Sequence, residues 1–344
     1  MIGHVDSFRR ETMTSSMNDS MRVVVSPSFP IEWRDVDDFL GEFGPFNGRY
    51  VPRYPNDWLE KLRHHLDDID LQKLPPRARA ALFERLRREI MLCTIPVGWS
   101  WDDSKSWERN VEEALSGSRG SMVVGDALDP SPYKNWSHEV GDIKRTRSRT
   151  WHFRGLVSDY VSLCLPLLVN SPAAYLVDPY FDPLSEKFEH LLVSLFDAIK
   201  GSKCYRLGII ARQSACGNNG KKDADKIRLE TSEIENSLKR IYGHRIPKDR
   251  SLVLYLVHES KKDEQGLTMH DRFFLTNHGA ISFGYGFEVG NQNQSMRNAF
   301  VVDKDHHALL KEVYINGVAR HSEKLPKVAN VAYPKGVTPV EITG

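Results

Sequence analysis

His270 and Arg272 stand two apart in the run Met269-His270-Asp271-Arg272-Phe273-Phe274-Leu275-Thr276-Asn277. On a strand, residues two apart share one face, so the imidazole and the guanidinium are expected side by side, with Asp271 and Phe273 on the other face. A nucleophile or base beside a fixed cation is what attack on a phosphodiester requires. The ring nitrogen can take a proton or bond to phosphorus, while the cation holds the non-bridging oxygens. Arg272 is always charged and can grip two oxygens at once. Asn277 can hydrogen-bond but holds no charge. Asp271 is expected to serve structural pairing.

These residues need a rigid frame, and the second half of the sequence offers one. Residues 173–180 read as a buried strand ending in a polar turn at Asp178. Leu184, Phe188, Leu191, Leu192, Leu195, Phe196 and Ile199 recur at helical spacing, with Gly201 as a stop. Cys204 to Ala211 is a second apolar strand, Asp223 to Tyr242 a second helix, and Leu252 to Val257 a third strand. Continuous apolar runs of this kind suit parallel strands covered on both faces. The His270 strand and the Ile281 strand are expected to form a hairpin, and Asp305 to Tyr314 a closing helix. The order predicts an α/β fold, a mixed β-sheet sandwiched by helices. In such sheets ligands gather at the carboxyl ends of parallel strands, where Asp178 and Arg212 lie. Asp178 is read first as a cap on the turn before Pro179.

The run from His270 resembles the signature of the phospholipase D superfamily, His-x-Lys-x4-Asp on one strand followed by Gly-Ser and Asn on the next. His270 falls on the His, Arg272 on the Lys, Asn277 on the Asp and Gly284 on the Gly, without a gap. Arg replaces Lys, Asn replaces Asp, and Tyr285 and Phe287 stand where the family has Ser and Asn. The His-Asp-Arg variant is similar to a divergent branch that includes the C-terminal domain of MIT-domain proteins and bacterial defence-associated members. The resemblance spans roughly residues 172–320. It implies a metal-independent phosphodiesterase, with no cofactor, acting on nucleic acid, and a setting in anti-phage defence. His270 would attack phosphorus, Arg272 would neutralise the developing charge, and Asn277 would take the orienting position. The superfamily builds one site from two motif copies. One convincing copy is present here, so the resemblance also implies a homodimer, and partner proteins of a multi-gene system. The rival reading is a degenerate module that binds phosphates of nucleic acid or lipid without turnover, or serves as an adaptor.

The N-terminal half reads as a helix-rich α/β unit. A strand is expected at residues 21–27, an interrupted helical stretch from Glu32 to Ile69, and an amphipathic helix from Pro75 to Leu92. A short helix at Ser106 to Leu115 and a strand at residues 121–125 follow, then a loop over 126–150. Trp151 to Val169 reads as a helix crossing to the second domain. The expected division is a polar leader at 1–20, the first unit at 21–165, the sheet domain at 170–320 and a tail at 321–344. Arg145, Arg147 and Arg149, followed by Trp151 and Arg154, interleave cations with an aromatic ring. That pattern suits a nucleic-acid backbone with a stacked base, and equally a solvated loop.

The chain of 344 residues carries a formal net charge of +1, so any nucleic-acid surface must be a local patch. No run of 18 apolar residues occurs, which argues against a transmembrane span. Cys93, Cys164, Cys204 and Cys216 form no Cys-x-x-Cys pair. They read as buried reduced thiols, and with the absence of a signal sequence they give a cytoplasmic expectation. No Cys, His and carboxylate spacing suggests a metal site.

Overall fold

The computed structural model describes residues 23–30, 32–68, 75–116, 122–125, 136, 139, 141, 150–217, 229–257, 272–289, 296–319 and 337–344. The chain divides into two compact units between Arg149 and Thr150. The boundary therefore precedes the expected 165–170, because residues that read as a crossing helix begin with a strand belonging to the second unit.

Among the described residues the first unit has four short strands, β1 (Val23–Val25), β2 (Val51–Arg53), β3 (Thr94–Pro96) and β4 (Met122–Val124). β1 pairs in parallel with β4, and β2 with β3. Its helices are α1 (Trp33–Glu42), α2 (Trp58–Asp68), α3 (Pro76–Cys93) and α4 (Trp107–Ala114). The interruptions expected at Gly44-Pro45 and residues 52–55 fall where the chain leaves α1 and runs through β2. Pro76 opens α3, where a missing N–H costs nothing. Ser106 caps α4 by accepting from Arg109 N–H at 3.3 Å. Phe29, Phe39, Phe43, Trp58 and Trp136 form one aromatic core, and Trp58 Nε1 donates to the Val25 carbonyl at 2.7 Å. Trp99 and Trp101 each pack edge-on to Tyr54 at 5.3 Å. Trp99 and Trp101 thus serve packing within this unit.

Among the described residues the second unit is built on one eight-stranded mixed sheet. Its strands are β5 (Thr150–Phe153), β6 (Ala173–Val177), β7 (Arg206–Arg212), β8 (Ser251–Val257), β9 (Phe273–Thr276), β10 (Ala280–Phe283), β11 (Arg297–Val301) and β12 (Val337–Thr343). They lie in the order β12-β8-β7-β6-β9-β10-β11-β5. β6, β7 and β8 are parallel, and the other pairings are antiparallel. Every residue of β6 and of β8 is buried, as expected of parallel strands covered on both faces. Helices α5 (Val157–Asn170), α6 (Glu186–Ile199), α7 (Thr231–Tyr242) and α8 (Lys304–Leu310) accompany the sheet, and α8 runs on into a π-helical turn, Lys311–Val318. Leu310, Ile315 and Val318 join Tyr175, Val253, Tyr255, Phe273 and Leu275 in one core cluster. Each such burial is worth roughly 1.5–3 kcal/mol. Asp303 caps α8, accepting from Asp305 and His306 N–H at 3.1 and 2.9 Å.

Three expectations change here. Residues 150–153 are strand β5, with Trp151 and Phe153 inward and His152 outward, and the helix starts only at Val157. The alternation Thr-Trp-His-Phe is a period-two pattern too short to stand out beside an apolar helix. The tail at 321–344 contains β12, whose Val340 and Ile342 are buried against β8. β11 had no counterpart among the expected strands. Among the described residues no helix is long and apolar enough to cross a membrane.

Candidate functional site

The carboxyl end of β6 delivers the central residue. Val177 pairs with Ile210 of β7 on one side and Phe273 of β9 on the other. The next residues outward are Asp178 and Arg272, which therefore meet beyond the sheet. Asp178 is 3% exposed. Its Oδ1 accepts from Tyr180 N–H at 2.9 Å and its Oδ2 from Phe287 N–H at 3.3 Å. Arg272 Nε lies 3.7 Å from Asp178 Oδ1. Asp178 therefore caps its own turn, as expected, and also holds Arg272 and the turn after β10.

Burial pushes the Asp178 carboxyl above its ordinary value; the Tyr180 N–H and the Arg272 guanidinium work against that rise. Arg272 Nη1 donates to the Gly284 carbonyl at 3.0 Å. Its Nε is buried and makes no hydrogen bond among the described residues. The guanidinium lies 5.3 Å from the Tyr180 ring centre, and that of Arg212, at the end of β7, lies 5.1 Å from the same centre. Tyr180 thus gathers two cations beside one ring. Arg212 is brought there by its N–H, which donates to the Pro179 carbonyl at 3.4 Å.

A second layer fixes residues 284–288. Gly286 has a φ of +68°, and a Cβ there would lie 2.5 Å from Asp178 Oδ2 and 2.8 Å from Arg272 Cδ. Only glycine fits without displacement. Tyr160 of α5 donates its hydroxyl to the Gly286 carbonyl at 2.8 Å and accepts from Arg297 Nη1 at 2.7 Å. Arg297 also donates to the Glu288 carbonyl. Burial pushes the Tyr160 hydroxyl up to about 12, so it stays protonated as this donor. Asp178, Tyr180, Phe188, Arg272, Tyr285 and Glu288 line an open cavity of about 420 Å³. Two guanidinium groups thus lie near this concave surface, one of them held by a buried carboxylate, an arrangement chemically able to hold an anion.

The sequence candidates fare differently. Arg272 is in the site, immediately before β9 rather than within it. His270 and Asp271 lie outside the described residues. Asn277 lies in the turn after β9, at the opposite end of that strand from Arg272, roughly 17 Å along it at strand rise. The structure does not bring these two together. Arg145, Arg147 and Arg149 lie outside the described residues, and Arg154 is exposed beyond β5. Trp151 is 3% exposed, so its ring is core and cannot stack on a base; that expectation is corrected. The inward register of β5 decides it. Tyr180, Phe188, Tyr285 and Glu288 were missed. Their only sequence signal was position, just beyond β6 or just after the glycine that follows β10. All four cysteines are buried and free, as expected, and burial raises the thiols of Cys93 and Cys216 to about 12, which suits inert packing.

No protein-family model and no curated protein matches the chain. Among solved structures it is similar to TrmBL2, an archaeal chromatin protein whose structure "shows a novel mode of DNA binding". The identity is 13%, the match covers 76% of this chain and 68% of that one, and the TM-score is 0.24. At that score the likeness carries no argument.

Proposed function

We propose that the second unit is a phospholipase D-like phosphodiester site acting on nucleic acid without a metal. The observation that carries the reading is the Arg272 guanidinium, anchored by buried Asp178 and by the Gly284 carbonyl beside an open cavity, with Arg212 drawn to the same tyrosine. An anchored guanidinium offers its remaining N–H groups to non-bridging oxygens with little reorganisation when charge develops. In the catalytic version, His270 forms a bond to phosphorus and the P–O bond to the leaving strand breaks. His270 of a second copy gives the leaving oxygen its proton, and water then releases the phosphoryl group. That version requires a homodimer with two motifs meeting about a two-fold axis.

A second reading is binding without turnover. It is favoured by the place of Asn277, a strand length from Arg272, and by the commitment of Arg272 to two internal partners. One experiment separates the readings. Wild type, His270→Ala and Arg272→Ala are incubated with labelled single-stranded and duplex DNA and RNA in excess EDTA. Cleavage that survives chelation and vanishes in His270→Ala supports the enzyme. Binding without cleavage, lost in Arg272→Ala, supports the binding module. Neither binding nor cleavage removes nucleic acid from consideration.

A further inference from the structure

We infer that the cavity receives one unstacked nucleotide of a single strand, its base lying against Tyr285 and its polar edge read by Glu288. The inference rests on the phosphate-binding reading above and goes further in naming strandedness and base choice.

Size is the first argument. About 420 Å³ is toward the small end of ligand clefts and suits one nucleotide, not a duplex. Lining is the second. Phe188 and Tyr285 line the cavity beside Tyr180, and only Tyr285 of the two is exposed. Phe188 is buried and packed on Phe181 at 4.2 Å between ring centres, so it closes the cavity from behind and leaves the stacking face to Tyr285. Tyr285 is 61% exposed, and its ring has no aromatic partner among the described residues. An exposed aromatic ring on a rigid mount is a stacking platform in waiting. The mount is rigid because the residues on either side of Tyr285 are fixed: the Gly284 carbonyl accepts from Arg272, and the Gly286 carbonyl accepts from Tyr160. Base faces in a duplex are covered by their neighbours, so a pocket that offers an exposed ring beside a phosphate clamp selects strands whose bases can leave the stack.

Charge is the third argument. Glu288 puts a half-exposed carboxylate into a site whose other role is to hold phosphate, and Lys187, at 3.5 Å, offsets it only in part. A carboxylate there repels a phosphate but accepts from base N–H groups. Guanine offers two adjacent donors on its Watson–Crick edge, adenine and cytosine an amino group, and thymine or uracil one imino N–H. The expected order is therefore guanine first and thymine or uracil last.

The test is fluorescence anisotropy with the full chain in EDTA, using labelled 12-nucleotide single strands of each base composition, a 12-base-pair duplex and free mononucleotides as competitors. Single strands should bind tighter than the duplex, with dG-containing strands tightest and oligo-dT weakest. Tyr285→Ala should weaken single-strand binding about 5- to 150-fold, leave duplex binding unchanged, and be rescued by Tyr285→Phe. Glu288→Gln should flatten the base order. If Arg272→Ala abolishes binding but Tyr285→Ala does not alter it, the phosphate reading stands and this inference falls. Equal binding of strand and duplex, or mononucleotides competing as well as strands, also overturns it. If no nucleic acid binds at all, both readings fall.

Discussion

Gly286 is the position where a single methyl group tests the geometry of the site. Gly286→Ala places a side chain in the left-handed region, which costs an L-residue about 1–2 kcal/mol. The new Cβ would also lie 2.5 Å from Asp178 Oδ2, 2.8 Å from Arg272 Cδ and 3.0 Å from its Nε. Something must move. The buried carboxylate then loses its contact with Phe287 N–H, now 3.3 Å, and a hydrogen bond to a buried charge is worth about 1.5–3 kcal/mol. The expected destabilisation is about 2.5–5 kcal/mol. Gly201 supplies the control: its φ is +75°, yet nothing lies within 4 Å of where its methyl group would sit. Gly201→Ala should cost only the backbone portion, about 1–2 kcal/mol. Urea denaturation of the full chain, followed by far-ultraviolet circular dichroism, measures both in the same unit. Gly286→Ala costing no more than Gly201→Ala would refute the close approach of Asp178 and Arg272 to this turn.

Tyr160→Phe removes the hydroxyl that joins Arg297 to the Gly286 carbonyl while keeping the ring beside Phe153, Phe283 and Phe287; a loss of about 1–3 kcal/mol in the same urea assay is expected, and no loss would deny the clamp. Asp178 holds its proton to higher pH when folded than when unfolded, so its contribution to stability falls as pH rises from the ordinary carboxylate range through the raised value. The difference in urea midpoint between wild type and Asp178→Asn, followed from pH 4 to 7, should carry that slope, and a flat difference would contradict it. His307 behaves oppositely: burial lowers its value while its Nε2 faces the Thr276 carbonyl at 2.9 Å. Its contribution is whole above the ordinary histidine range and is lost as pH falls toward the lowered value, so His307→Gln should lose less stability than wild type between pH 7 and 5. Val340→Asp puts a carboxylate where a buried valine of β12 faces the core, and should cost about 2–4 kcal/mol; a change below about 0.5 kcal/mol would mean that β12 is not packed on β8.

The parallel centre of the second unit was legible because its signals are strong and local. β6, β7 and β8 are continuous apolar runs, and α6 repeats its apolar residues at helical spacing before Gly201. The edges were not. β12 carries Pro339 in mid-strand, which argues against a central strand and is tolerated because β12 stands at the end of the strand order. β11 does alternate, but its inward positions include Arg297, a buried cation whose partners come from α5 and residues 284–288 and cannot be inferred from its neighbours in sequence. The site divides the same way. Asp178 and Arg212 could be placed at strand ends by pattern, whereas Arg272 was expected within the strand it precedes. Tyr285 and Glu288 acquire meaning only through the backbone clamp around Gly286. Trp151 looked like a stacking residue because its neighbours are cationic, whereas its register on β5 buries it.

The strand order has a consequence for how the sheet is made. β5 is the first strand of its unit to be synthesised, yet its sheet partner among the described residues is β11, and the contact between His152 and Asn298 spans 146 residues. β6, β7 and β8 can begin to associate as they emerge, while the apolar side of β5, with Trp151 and Phe153, must wait until almost the whole unit exists. Closing so long a loop is slow, and an apolar strand edge left waiting is what holdase chaperones recognise. The β5 edge should therefore dock late, once β11 exists, and the interval before it is a time of exposure to aggregation.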